Sequence, residues 1–321
     1  MENKITRNKF VKLSLMGLTA PVFGVGCSGG KTGERETTAD STSTNAVAET
    51  TTSPVPNPYS RRTGIQLYSV RDAFDADPEG TLKKVAAIGY KELELPNYIH
   101  LEHLPLIQDL GMKVVSMHFS GDPVEGLMKD NGDTTYKEIV EACATAGVPE
   151  LVIAIYRGGE GLDPYKRLAE AANKAGEYSK TAGVQLSYHN HNFEFAPVEN
   201  SSPMDVMYEG FEKDLVKIEL DLFWVKVSGN DPVETMKKYK DGLRLLHLKD
   251  VKEGTPSKLE LGADPGAFQP VGDGIMDFQR ILETAHELDV KYAFVEQDQS
   301  PEKDIFESID RSYKYLQSLG L

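Results

Sequence analysis

The stretch Leu186–Phe195, LSYHNHNFEF, places His189 and His191 two positions apart behind a short apolar lead. Residues two apart on an extended strand share a face. Gln185, Ser187, His189 and His191 therefore line one side, and Val184, Leu186 and Tyr188 the other. The same alternation recurs in later apolar runs. Glu219 and Asp221 share a face in VKIELDLFW, Leu245, His247 and Lys249 in LRLLHLK, and Phe294, Glu296 and Asp298 in KYAFVEQD. Upstream, Glu92 and Glu94 fall together in YKELEL, and Ser116 and His118 in MKVVSMHF. Two imidazoles and two carboxylates, those of His189, Asp221, His247 and Glu296, thus close four successive runs. Such charges are costly to gather without compensation. A divalent cation removes that cost, and mixed nitrogen and oxygen donors suit Mn²⁺, Fe²⁺, Co²⁺ or Zn²⁺ better than Ca²⁺. Singly, each side chain would pass as structural, or as part of a hydrogen-bonded polar network. Together they point to a metal site.

Something must bring those four positions to one place. From Gly64 onward, short apolar runs (GIQLYSV, YKELEL, MKVVSMHF, ELVIAIY, VQLSYHN, VKIELDLFW, LRLLHLK, KYAFVEQ) alternate with helical stretches. Asp77-Pro78, Asp163-Pro164, Asp231-Pro232 and Ser300-Pro301 each set a capping side chain before a first-turn proline. Gly89, Gly111, Gly147 and Gly183 each end a helix. Eight strand–helix units in roughly 250 residues predict an α/β fold, the (β/α)8 TIM barrel, whose active sites sit at the C-terminal ends of the strands. An open doubly wound sheet would want a glycine-rich phosphate turn after its first strand, and YSVRDAFDADPEG is not one.

Residues 63–321 resemble the sugar phosphate isomerase/epimerase family, with its xylose isomerase-like TIM barrel. The resemblance rests on GIQLYSVRD, GMKVVSMHF, YHNHNFEF, ELDLFWVKVSGNDPV, LLHLKD, FQPVGDGIMDFQRIL and FVEQD, which follow one another in family order. It implies a divalent metal at the barrel mouth (Mn favoured, with Co, Fe, Zn or Mg as alternatives) and a small-molecule carbohydrate as partner. In related ketose epimerases the ligands are Glu, Asp, His and Glu. Asp221, His247 and Glu296 match three of them, and His189 stands where the first glutamate is. That glutamate and the one on the last strand form the epimerases' proton-transferring pair, so Glu296 here lacks its carboxylate partner. Trp224 stands where the epimerases carry a substrate-binding histidine. The expected catalytic groups are His191 as base, Glu296 as proton shuttle and Lys249 as a stabiliser of negative charge. The expected substrate contacts are Glu94, His118, Glu194 and Trp224. The reaction expected is isomerisation or epimerisation of a sugar or keto-sugar through removal of a proton next to a carbonyl. The alternatives are a lyase that eliminates the aglycone of a 3-keto-glycoside, an inosose-type dehydratase, and a non-catalytic sugar-binding lipoprotein. The GDG run, Gly272–Gly274, offers either backbone amides for an anion or a turn before a helix capped by Asp277.

The formal net charge is −15, a balance that repels phosphate backbones and argues against nucleic acid, including the nucleases that share this barrel. Two cysteines, Cys27 and Cys143, make neither a disulfide framework nor a thiolate metal site. Cys143 sits in a helical pattern and reads as packed core. Residues 1–27 carry a basic start and a short apolar run ending at GVGC, the shape of a lipoprotein signal peptide with Cys27 as the lipidated residue. Residues 28–62 are a Ser/Thr-rich tether too polar to order itself, and residues 63–321 form the catalytic domain. The expected location is extracytoplasmic, in the periplasm or cell envelope, with membrane contact only through the lipid anchor.

Overall fold

The computed structural model describes Tyr59, residues 62–121, Val124 and residues 134–320. The expectations for the signal peptide, for Cys27 and for most of the tether lie outside these residues. Eight parallel strands close into a barrel: β1 (Gly64–Gln66), β2 (Glu92–Leu95), β3 (Lys113–Phe119), β4 (Glu150–Ile153), β5 (Gln185–His189), β6 (Val216–Asp221), β7 (Leu243–Leu248) and β8 (Tyr292–Val295). Each pairs with its sequence neighbours, and β1 closes on β8. A two-stranded antiparallel ribbon, Asp250–Val251 against Phe268–Gln269, rises from the end of β7.

The pleat sorts the side chains as the alternation requires. Ile65, Leu93, Met117, Leu151, Leu186, Tyr188, Ile218, Leu220 and Leu246 are fully buried in the main core. Val115, Val152, Leu245 and Phe294 form a separate apolar cluster. Gly64 makes room for it, because a Cβ there would collide with the Phe294 ring. At the N-terminal ends of the strands, Arg244 clamps Glu150 at 2.6–3.0 Å and Arg62 clamps Glu92 at 2.8–3.0 Å. Tyr59 is buried too, and its hydroxyl donates to the carbonyls of Ala285 and Val290. The packed domain therefore begins at least four residues before Thr63, because a phenol reaching two carbonyls holds down chain whose composition alone reads as tether.

Local signals act mostly where expected. Asp77, Asp231 and Asp277 cap the helices Pro78–Ile88, Pro232–Lys238 and Phe278–Glu287. Gly89, Gly111, Gly147 and Gly183 all have positive φ, from 70 to 124°. Cys143 is fully buried, and burial pushes its thiol up to about 12. Three details differ. After Gln66 the chain leaves β1 for a 3-10 turn, Leu67–Val70, because the Gln66 side chain accepts from Tyr68 N. Asp163 makes no capping bond, since its carboxylate is engaged by Lys166 at 2.9 Å. The last helix, Ile305–Ser318, starts after Asp304, whose carboxylate accepts from Phe306 N, whereas Ser300 accepts from Glu302 N in the preceding turn and shares a hydrogen bond with Ser308 Oγ.

The GDG run is a turn. The buried Asp250 carboxylate accepts from the amides of Val251, Gly272, Gly274 and Met276 at 2.8–3.0 Å, so those amides are already engaged. A Cβ on Gly274 would overlap Asp250 and the Val251 carbonyl. Asp250→Ala should leave four amides, those of Val251 and Met276 buried and those of Gly272 and Gly274 part-buried, without their acceptor and lower the unfolding free energy by about 2 kcal/mol, measured by urea denaturation. A loss under ~0.5 kcal/mol would show that water replaces the carboxylate at little cost.

Candidate metal centre

The C-terminal ends of β5 to β8 converge, and strand register sets the height of each side chain. His189 pairs with Glu219, and Asp221 pairs with His247 one step higher. Asp221 does two jobs. Its Oδ1 accepts from Phe223 N and Trp224 N at 3.0 and 3.1 Å and so caps the helix Leu222–Val227. Its Oδ2 is left 3.7 Å from His189 Nε2 and 3.6 Å from His247 Nδ1. His247 Nδ1 also lies 2.8 Å from Glu296 Oε2. Ligand-type atoms of His189, Asp221, His247 and Glu296 all fall within 4.8 Å of one another, and the four residues are at most 5% exposed. Asp221 Oδ2 and His247 Nδ1 are buried without a well-formed hydrogen bond. Two buried ligand atoms held by ion-pair contacts alone, beside the His189 imidazole and the Glu296 carboxylate, fit a divalent transition ion. Burial, and then His247, hold His189 well below the usual imidazole range, in the neutral form that a ligand needs.

Beneath this group lies a second polar layer. Glu94 accepts from Gln66 Nε2 at 2.8 Å and Ser116 Oγ at 2.5 Å, and its Oε2 is 2.6 Å from His247 Nε2. Glu219 Oε2 is 2.7 Å from His118 Nε2, 3.2 Å from His189 Nδ1 and 3.4 Å from His247 Nε2. Burial and the neighbouring Glu94 push Glu219 up to about 7. Burial opposes ionisation of Glu94 as well, but His118 and His247 outweigh it and hold that carboxyl well below its ordinary range. His118 is raised to about 10, because Glu94 and Glu219 overcome its desolvation. His118, His189, Glu219 and His247 also form a cluster of metal-ligand type. It shares His189 and His247 with the upper group, and filling both groups with ions would strip each shared ring of both its protons. The lower layer therefore holds His247 by a hydrogen bond from its Nε2 side to Glu94, as carboxylates commonly do behind metal-bound histidine, and meets His189 Nδ1 only through the close Glu219 carboxyl.

The structure places the other expected residues as follows. Lys249 is buried, with Nζ 2.8 Å from Asp221 Oδ2, 2.6 Å from Glu296 Oε2 and 2.7 Å from Asp298 Oδ2. His191 lies just past the end of β5, its ring stacked on Trp224 at 5.4 Å and 5.1 Å from the His189 ring. Burial and the Lys249 charge lower its pKa to about 3, so it is neutral. His191 Nδ1 and Trp224 Nε1 are both buried without a partner. His118 is 7% exposed and belongs to the lower layer. Glu94 is fully buried beneath the ligand group, and its contacts are to protein side chains. Glu194 is also fully buried and accepts from the Tyr188 hydroxyl at 2.8 Å and His191 N at 2.9 Å, which fastens the turn carrying His191. Four residues were given no role from sequence, although Glu219 and Asp298 were placed on the inward strand faces. Glu219 shares its strand face with Asp221, and that alternation was available as a signal. Gln66, Asn190 and Asp298 carried little. Asn190 Oδ1 accepts from Asp221 N at 2.9 Å and locks β5 to β6.

A closed parallel barrel with a cluster of ligand type at the C-terminal ends of its strands defines the class. Residues 82–315 match the family model of the xylose isomerase-like TIM barrel, and the chain belongs to that family. It is 28% identical over 211 residues to the inosose dehydratase of Clostridium perfringens, a match spanning 63% of each chain. Among solved structures it is similar to a sugar phosphate isomerase/epimerase from Parabacteroides distasonis, with a TM-score of 0.69 and 24% identity over 85% of this chain and 98% of that one. It also resembles the IOLI protein with a bound zinc atom, with a TM-score of 0.61 and 16% identity over 80% and 97% of the two chains.

The Glu194 contacts generate a pH prediction. Burial raises this carboxyl from 4.5 to about 8, so the folded protein holds the proton more tightly than the unfolded chain does. Its contribution to stability is fully present below the unfolded value and is lost as pH rises from 4.5 through about 8. Glu194→Gln should flatten the fall in urea midpoint between pH 5 and 8. An unchanged slope would mean that Glu194 is ionised in the fold.

Proposed function

We propose that this chain is a divalent-metal-dependent carbohydrate enzyme that removes a proton from the carbon next to a carbonyl of a sugar or keto-sugar, as sugar isomerases and epimerases do. The observation that carries this reading is the convergence of the buried His189, Asp221, His247 and Glu296 at the mouth of the barrel, with ligand atoms within 4.8 Å of one another. When bound, a divalent ion polarises the carbonyl and lowers the cost of losing the adjacent proton. Mn²⁺ is the favoured ion, with Co²⁺, Fe²⁺, Zn²⁺ or Mg²⁺ as alternatives. His191 presents a neutral ring whose Nδ1 has no hydrogen bond, the form that can take the proton, and burial opposes the imidazolium that results. Asp221 and Glu296 favour the imidazolium that results, and Lys249 opposes it. The Trp224 indole offers an apolar face to a sugar ring. A free sugar suits the site better than a phosphorylated one, since the Gly272 and Gly274 amides are spent on Asp250.

Elimination is the second reading. His189 stands where a two-base epimerase needs a carboxylate, so Glu296 has no carboxylate partner to take the opposite face of the carbon. The relatives named inosose dehydratase support a lyase outcome for this chain. In that outcome His191 takes the proton and the resulting imidazolium gives it to the departing oxygen, while Glu296 stays an ionised carboxylate beside Lys249 and His247.

Two measurements test the proposal. His247→Ala should remove a buried ligand and abolish both stoichiometric Mn²⁺ binding and activity, read by metal analysis and turnover. Retention of both would place the site elsewhere. Incubation of keto-sugars, inososes and 3-keto-glycosides with the protein in deuterated water should give exchange next to the carbonyl or a released leaving group. Absence of both across the panel would overturn proton abstraction.

A further inference from the structure

The carboxylate oxygens that an ion would use are also claimed by a side chain. Lys249 Nζ lies 2.8 Å from Asp221 Oδ2 and 2.6 Å from Glu296 Oε2. Asp221 Oδ2 is nonetheless a buried oxygen without a well-formed hydrogen bond. The directed hydrogen bond from Lys249 goes to Asp298 Oδ2, at 2.7 Å. Asp298 stands two residues beyond Glu296 and outside the ligand group. The ammonium is 2% exposed, so it does not simply swing into water.

We infer that Lys249 is a displaceable internal counter-ion. Its ammonium neutralises Asp221 and Glu296 until a divalent ion takes their oxygens, and Asp298 then holds it alone. The inference rests on the cation reading above. Asp298 acts on the ion only through Lys249: without this carboxylate to retreat to, the ammonium stays on Asp221 and Glu296 and competes.

Isothermal titration of chelator-treated protein with Mn²⁺ tests this in a double-mutant cycle. Lys249→Met should tighten Mn²⁺ binding by on the order of tenfold, and Asp298→Asn should weaken it by a similar factor. In the Lys249→Met background, Asp298→Asn should have no further effect. Simple long-range electrostatics predicts the same factor for Asp298→Asn in both backgrounds, and that result would overturn the inference. So would Mn²⁺ affinity unchanged or weakened in Lys249→Met. The thermal midpoint of chelator-treated Lys249→Met should also fall below that of the wild type and recover on adding Mn²⁺, because three carboxylates lose their cation. A midpoint equal to the wild type's would count against the counter-ion role. Failure of the wild type to bind Mn²⁺, Co²⁺ or Zn²⁺ at all would instead remove the cation reading itself.

Discussion

Everything at the mouth of this barrel depends on compensating buried charge. Glu94, Glu219, Asp221 and Glu296 lie within a few ångströms of one another, essentially out of water, together with three imidazoles and one ammonium. An isolated carboxylate in such a place neutralises itself or unfolds its surroundings. Here each finds a partner through a fixed arrangement. His189 and His247 serve two layers at once because an imidazole carries nitrogens on opposite edges. One edge meets a lower carboxylate and the other faces Asp221 or Glu296. The lower layer therefore sets the ring orientation that the upper layer needs, and the two cannot be designed independently.

The rest of the fold protects that arrangement. The apolar cluster of Val115, Val152, Leu245 and Phe294, together with the Arg62–Glu92 and Arg244–Glu150 pairs at the opposite strand ends, leaves the mouth as the approach to the polar layers. Loops at the mouth are tied by side chains rather than by regular structure. Asn192 Nδ2 donates to the carbonyls of Lys258, Glu260 and Gly262, and Asp250 gathers the amides of the turn after the ribbon. Both residues are fully buried, so the loop after β7 is fixed against the end of β5 at one point and against its own return at another.

The alternation of side chains made the eight strands and their inward residues legible, and capping aspartates and positive-φ glycines marked most helix ends. Depth was not legible. Period two tells which face a residue occupies but not how high it stands. Height comes from the register between strands, which shifts within the β2–β3 and β6–β7 pairings. That is why Glu94 lies below the ligand group, not at its rim, while Asp221 reaches it. Glu194 was unreadable for a related reason: its partners, Tyr188 and His191, become neighbours only when the chain turns sharply after His189. Tyr59 and Asn190 matter through backbone groups far away in sequence, which carry no local signature.

The resemblance to ketose epimerases implies a glutamate where His189 stands, and that difference can be weighed by charge. The upper group offers two carboxylates, Asp221 and Glu296; burial holds His189 neutral, whereas at His247 Glu219, Glu296 and Glu94 outweigh burial and hold the ring well above the usual imidazole range, so an ion must displace its proton. A divalent ion balances those two, and Lys249 paired with Asp298 balances itself. A third carboxylate in place of His189 would leave one negative charge to be met by the same lysine, which would then have to remain among the ligands. The imidazole therefore changes more than the donor atom. On the proposed reading it would leave no second carboxyl base opposite Glu296 and would free the ammonium from the charge balance of the ion. On the reading proposed above, such a site would suit chemistry in which one face of the substrate loses a proton to a single base, His191.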